Sequence, residues 1–147
     1  MRSADSHLVF DLDLAKRESS ENPVYYIQYA HARISSIMKH AREENVELAR
    51  LAEAELTLLV VPEENELMKQ ISQFPSVVEM AAEKREVHRI PIFILDMVGL
   101  FHSYYNKHRV VTDNEALTLA RLALVEAVRQ VVENALRLLG IEAPERM

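Results

Sequence analysis

Three tyrosines, a glutamine, a histidine and an arginine fall within the nine residues from Tyr25 to Arg33. Phenol rings and a guanidinium plane stack on unpaired bases, and the amide and guanidinium donors reach base edges or phosphates. Asn22 and Pro23 just upstream read as a helix start. The asparagine caps free N–H groups, and a proline at the first helical position gives up no hydrogen bond. At about 100° per residue, Tyr26, Tyr29, Arg33 and His40 fall within roughly 60° of one another, while Ile34, central in the apolar seam, lies about 80° from Tyr26. The four form a stripe beside the core face. That is the geometry of an aromatic platform with a charged partner. It is equally the geometry of tyrosines that roof a core edge and offer their hydroxyls to water.

A second cluster interleaves aromatic and basic residues: Phe101, His102, Ser103, Tyr104, Tyr105, Asn106, Lys107, His108 and Arg109. It sits where a helix is expected to end, so its cations have a plain alternative reading as dipole-compensating charge. Other chemistry is poorly served. The histidines (His7, His31, His40, His88, His102, His108) lack metal-ligand spacing, and no serine stands in a glycine-framed elbow. Asp11 and Asp13 are a weak carboxylate pair. Gly99 and Gly140 are isolated, so no glycine-rich phosphate loop exists. His31 lies near the apolar seam and reads as a satisfied core histidine rather than a ligand.

These residues need a scaffold. With 147 residues, 49% of them apolar, the chain is long enough to bury a real core as one domain. Two glycines and five prolines leave few strand-turn signals and favour helices. No apolar run approaches the roughly 20 residues that span a bilayer, and nothing near Met1 resembles a signal peptide. The absence of cysteine is compatible with a cytoplasmic location. The net charge of −6 argues against a general nucleic-acid binder, but its distribution is uneven. Between Glu43 and Glu66, eight glutamates face one arginine, a local −7 that leaves the remainder near +1. Positive charge gathers at Arg33/Lys39/His40/Arg42, at Lys84/Arg85/His88/Arg89 and at Lys107/His108/Arg109.

The pattern predicts an all-α bundle of about five to six helices behind a short irregular or extended segment, residues 1–20, with the helical domain over 21–147. The first helix is expected from Pro23 to Glu44, with a seam of Val24, Ile27, Ala30, Ile34, Ile37/Met38 and Ala41. A second is expected from Val46 to Leu59. A third opens at Pro62, with Glu63, Glu64 and Glu66 complementing its dipole. A short fourth follows Pro75. A fifth runs from near His88 to Asn106, Pro91 lying in its first turns. The last is bounded by a Thr112/Glu115 capping box and by Gly140. Its apolar residues from Ala116 to Leu139 are too many for an exposed helix, so it should be central.

Three segments carry a resemblance. One is Arg2-Ser3-Ala4-Asp5-Ser6-His7-Leu8-Val9-Phe10-Asp11-Leu12-Asp13-Leu14-Ala15. The second is Asn22-Pro23-Val24-Tyr25-Tyr26-Ile27-Gln28-Tyr29-Ala30-His31-Ala32-Arg33. The third is Leu138-Leu139-Gly140-Ile141-Glu142-Ala143-Pro144-Glu145-Arg146-Met147, backed by residues 101–106. In this order they span the chain, and together the sequence resembles the C-terminal, DALR-type anticodon-binding domain of arginyl-tRNA synthetases. Val9, where an acidic residue is common in the family, and Pro91, in place of a small helix-former, depart from the pattern away from the expected site.

The resemblance implies a bundle that binds the anticodon stem-loop of arginine tRNA. In the family, ATP activates arginine in a class I catalytic domain with HIGH-type and KMSK-type motifs, which have no counterpart here. ATP and Mg therefore belong to that domain and no cofactor to this segment, which is expected to be inactive alone. Met1 is expected to mark a fragment start. The implied partners are arginine tRNA and the catalytic domain of the same enzyme, with no membrane, in a monomeric parent. Tyr26, Tyr29, Tyr105 and Met147, the last with its carboxylate, match family positions that face the anticodon. Gln28, Arg33, His40 and Arg109 are supporting candidates from the reading of this sequence. All arginine anticodons share a middle C, so a discriminating pocket should read that base. The alternative is a helical protein-interaction domain without RNA specificity, using the acidic segment and exposed apolar edges. An independent metal or hydrolytic enzyme has almost no support.

Overall fold

A computed structural model describes Ser19 and residues 21–147. The expected extended segment, and with it Asp11 and Asp13, lies outside the described residues. Within them the protein is all-α: α1 (Pro23–Glu43), two 3₁₀ helices (Leu48–Glu53 and Leu56–Leu58), α2 (Pro62–Lys84), α3 (Arg89–Lys107) and α4 (Glu115–Leu138). No helix among them is long and apolar enough to cross a membrane.

Helix α1 begins as its sequence dictates. The Asn22 side chain accepts from the Val24 and Tyr25 amides, with Pro23 in the first turn. It ends where Asn45, at φ 62°, turns left-handed, and the Val46 and Asn45 amides return to the Ala41 and Arg42 carbonyls. Gly140 performs the same turn after α4 at φ 70°, with Ile141 and Gly140 donating to Leu136 and Arg137. Two free helix ends are thus closed by a residue type that tolerates the left-handed region.

Helix α4 packs against every other described helix, which makes it the central one. It buries Leu122, Val125, Val128, Val132, Ala135 and Leu136 on several sides. From α1 the core receives Ile27, Ala30, Ile34, Ile37, Met38 and Ala41, and from α3 Ile94, Met97, Val98 and Phe101. Val24, expected in the α1 seam, is instead 41% exposed, because the seam begins a turn later at Ile27.

Four local expectations change. Residues 46–59 form two 3₁₀ helices rather than one α-helix. None of the residues in either 3₁₀ helix is fully buried; Leu48, Leu51 and Leu58 reach the core only with partly buried side chains, so less packing holds a regular helix there. Pro75 does not start a new helix; it lies inside α2. Its ring is on the exposed side, while Leu67, Phe74 and Ala81, seven apart, share the buried side, and Phe74 stacks on Phe93 at 6.0 Å. Burial on that side outweighs the hydrogen bond proline removes on the wet side. The start of α4 is capped by Asn114, whose side chain accepts from the Leu117 amide, while Thr112 binds the Asn114 and Thr118 groups one step outside. Finally, Glu64 is not a solvated dipole charge: it is fully buried.

Candidate nucleic-acid interface

Tyr29, Arg33 and His40 project from one side of α1 into an open cleft of about 890 Å³. Tyr105 and His108, from the end of α3, form the facing side with Arg109, and residues 146–147 close one edge, contributing Arg146 and Met147. Arg33, Lys39, Arg109 and Arg146 line it, with His40 and His108, and no Asp or Glu side chain does so among the described residues. Lys39 meets Glu43 at 3.7 Å, an exposed pair one helical turn apart. None of Arg33, Arg109 and Arg146 forms an ion pair among the described residues. A chain of net charge −6 thus concentrates unpaired cations in one concavity.

The Arg33 guanidinium stands over two rings, 4.8 Å from the Tyr29 centroid and 5.3 Å from that of Tyr105. It also donates to the Tyr29 hydroxyl. Cation–π attraction holds the charge between two aromatic faces without neutralising it. Tyr105 stacks in turn on the buried Phe101 at 6.0 Å, which ties the outer ring to the core.

Tyr26 faces a smaller recess on the other side of Tyr29 and Arg33, lined also by Tyr25, His102 and Asn106. Its ring lies 5.0 Å from that of His102, which is 6.0 Å from Tyr29 and 5.3 Å from Phe101. Burial, with the Arg33 charge adding to it, holds the His102 imidazole below its ordinary value of 6.5. The ring is therefore neutral at pH 7 and serves as an aromatic surface. Its Nε2 is buried without a hydrogen-bond partner among the described residues.

The structure brings together Tyr29, Arg33, His40, Tyr105, Arg109 and Met147, and sets Tyr26 in the adjoining recess. Gln28 is not in the cleft; its Nε2 donates to the Glu142 carbonyl at 2.8 Å. Lys39, His108, His102 and Arg146 line the cleft or the recess but were not singled out as site residues. His102 stands three before Tyr105, a helical face that could have flagged it. Arg146 is one residue from Met147, but no periodicity in that segment indicates which way it faces. His31 is the satisfied core histidine expected: it is 1% exposed, with Nδ1 2.8 Å from the Pro144 carbonyl and Nε2 3.2 Å from Arg129 Nη1.

The floor of the cleft is fastened from behind. Glu63 accepts from Lys107 Nζ at 2.8 Å and faces His108 Nε2 at 3.4 Å. The Lys107 bond, first among several contacts, lowers the Glu63 carboxyl from 4.5 to about 2. Buried Glu64 accepts from Arg121 Nε at 2.8 Å, from the Val61 amide at 3.1 Å and from the Tyr104 hydroxyl at 3.4 Å. Arg121 Nη1 donates onward to the Arg109 carbonyl at 2.7 Å, which sets the loop that carries Arg109 into the cleft. Among the described residues, no group of three or more His, Cys, Asp or Glu could hold a metal ion.

Fold and cleft define a class, an all-α bundle whose surface carries a basic, tyrosine-walled cleft. The chain belongs to the DALR anticodon binding domain family, whose pattern matches residues 27–147. It is 53% identical over its whole length to an arginine–tRNA ligase of Desulforamulus reducens and 50% identical to that of Symbiobacterium thermophilum, covering 26% of each. The chain thus spans about a quarter of these relatives. Among solved structures, a Campylobacter jejuni chain provisionally described as an arginyl-tRNA synthetase superposes with a TM-score of 0.84 at 31% identity, over 99% of this chain and 31% of that one. The Thermus thermophilus arginyl-tRNA synthetase gives 0.71 at 31% identity, over 90% and 22%. The family match lends no support to the protein-interaction alternative.

Proposed function

We propose that this chain is the anticodon-reading part of an arginine–tRNA ligase. The observation that carries the reading is the cleft: Arg33 set between two tyrosine faces, with Arg109 and Arg146 beside it, none of the three paired with a carboxylate among the described residues, in an otherwise acidic protein. A single-stranded loop supplies what the cleft lacks. Its phosphates match Arg109, Arg146 and Lys39, and its bases match the Tyr29, Arg33 and Tyr105 faces. Tyr26 with His102 provides a further ring pair beside them. Met147 meets the same loop from the edge. ATP- and Mg-dependent transfer of arginine belongs to a catalytic domain outside these 147 residues, and the segment alone does no catalysis. The partners are arginine tRNA and that domain, in a monomeric, cytoplasmic enzyme.

The test is binding to an arginine-tRNA anticodon stem-loop and to a copy with its middle C changed to G, at two salt concentrations. Each lost base contact is worth roughly 1–3 kcal/mol, so a preference of about tenfold or more for the C form, surviving higher salt, is expected. Equal binding that falls steeply with salt would mean phosphate contact alone and would defeat the anticodon reading.

A further inference from the structure

Residues 141–147 contain no regular secondary structure, yet their backbone is gripped by side chains of α1. Gln28 Nε2 donates to the Glu142 carbonyl and His31 Nδ1 to the Pro144 carbonyl, each at 2.8 Å. Gln28 and His31 are three residues apart and so share one face of the helix. The carbonyls they hold are two apart, as a strand-like stretch presents them on one side.

The protonation of His31 follows from its partners. A carbonyl only accepts, so Nδ1 carries the hydrogen; a guanidinium only donates, so Nε2 is a lone pair. Arg129 on α4 is itself fixed. Glu126 holds it through two bonds, at 2.9 and 2.7 Å, and Glu133 Oε2 lies 3.2 Å from the Nη1 that meets His31. Glu126 and Glu133 thus set Arg129, Arg129 sets the tautomer, and the tautomer sets a donor aimed at the 144 carbonyl. Two residues beyond that carbonyl the backbone delivers Arg146 and Met147 to the cleft.

We propose that His31, oriented by Arg129 and assisted by Gln28, is a positioning residue for RNA: it latches residues 141–147 so that Arg146 and Met147 wall the cleft. The inference rests on the RNA reading above, but the latch has its own readout. Ring ¹⁵N shifts of His31 at pH 7 are expected to report a neutral Nδ1–H imidazole; an Nε2–H or cationic ring overturns the proposal. His31→Asn keeps a donor near the Nδ1 position, and His31→Leu removes it. Backbone ¹⁵N order parameters for residues 142–147 are expected to stay high in the Asn variant and to fall in the Leu variant. With the segment loosened, anticodon stem-loop affinity in the Leu variant falls about tenfold, the scale of a lost buried hydrogen bond. An ordered segment in a folded His31→Leu chain, or equal loss in both variants, overturns the latch. Gln28→Leu, at a partly exposed position, keeps the test open if His31→Leu does not fold; it is expected to loosen the segment as well, and an unchanged segment counts against the proposal. If the unaltered chain binds no stem-loop, the RNA reading fails, while the shifts and order parameters still judge the latch.

Discussion

Two regions of this molecule collect the same residue types and treat them oppositely. Behind the cleft, where the start of α2 meets the end of α3 and the side of α4, the cations meet carboxylates: Lys107 on Glu63, Arg121 on Glu64. In the cleft, Arg33, Arg109 and Arg146 meet none among the described residues, and Arg33 rests on rings. Tyr104 and Tyr105 are neighbours in sequence, yet they divide between the regions. Tyr104 is fully buried against Glu64, and burial pushes its hydroxyl well above the ordinary 10. Tyr105 lines the cleft. One step of about 100° along a helix separates a tyrosine buried in the core from one that lines the cleft. Residue type alone therefore does not mark a site here. What sets the cleft apart is charge left without a carboxylate among the described residues.

The comparison breaks most visibly at Glu64. Glu64→Ala leaves Arg121 without its carboxylate in a site where Glu64 is fully buried and Arg121 is 11% exposed. Removing one partner of a buried pair costs about 3–5 kcal/mol. Urea unfolding is expected to move to a much lower midpoint, and an unchanged midpoint would mean that Arg121 finds water instead. Arg33→Ala is the opposite case. It should leave the unfolding midpoint nearly unchanged and weaken stem-loop binding by roughly 1–3 kcal/mol, as for a stacking contact. It should also raise the His102 pKa part of the way back, since the Arg33 charge is the second cause of its depression and burial persists. An NMR titration of the His102 ring checks this, and no movement would place the guanidinium elsewhere in solution.

Tyr26→Ala and Tyr29→Ala sharpen the contrast between the recess and the cleft. Both should keep the helical circular-dichroism signal and lose RNA affinity; a collapse of the fold would return these rings to the role of core roof. Arg109→Ala tests a single cation. If Arg109 meets a phosphate of a single strand, the slope of log affinity against log salt becomes shallower by about 0.7. An unchanged slope removes Arg109 from the interface.

The elements whose ends are closed by local chemistry were legible in the sequence: Asn22 and Pro23 opening α1, Gly140 closing α4, and the apolar richness that makes α4 central. So was most of the stripe of Tyr26, Tyr29, Arg33 and His40, because helical spacing alone aligns it; Tyr26 turns into the adjoining recess instead of the cleft. What was not legible depended on distant partners. The burial of Glu64 needs Arg121, fifty-seven positions away. The passage of α2 through Pro75 needs Phe93 beneath Phe74. Gln28 reads as a site residue until the 142 carbonyl is found on its amide. Arg146 and His102 join the cleft and the recess only once α1, α3 and residues 141–147 are assembled.

The smallest effect tests the boundary between the regions, at Glu63. Its carboxyl is lowered from 4.5 to about 2 by the Lys107 bond first, so the folded state favours the charged form. A depressed carboxyl contributes stability that is complete above its unfolded value and is lost as pH falls toward its folded one. The window is therefore about pH 4.5 down to about 2. The Tm difference between the wild type and Glu63→Gln should be steady above that window and shrink through it. The difference itself should be small, because the pair is partly solvated and screened. Arg109→Ala, whose side chain has no carboxylate partner among the described residues, should show no such shrinkage over the same range. If it did, the cleft would hold a hidden carboxylate contact in solution, and the cations there would be structural charges rather than ones kept for a phosphate.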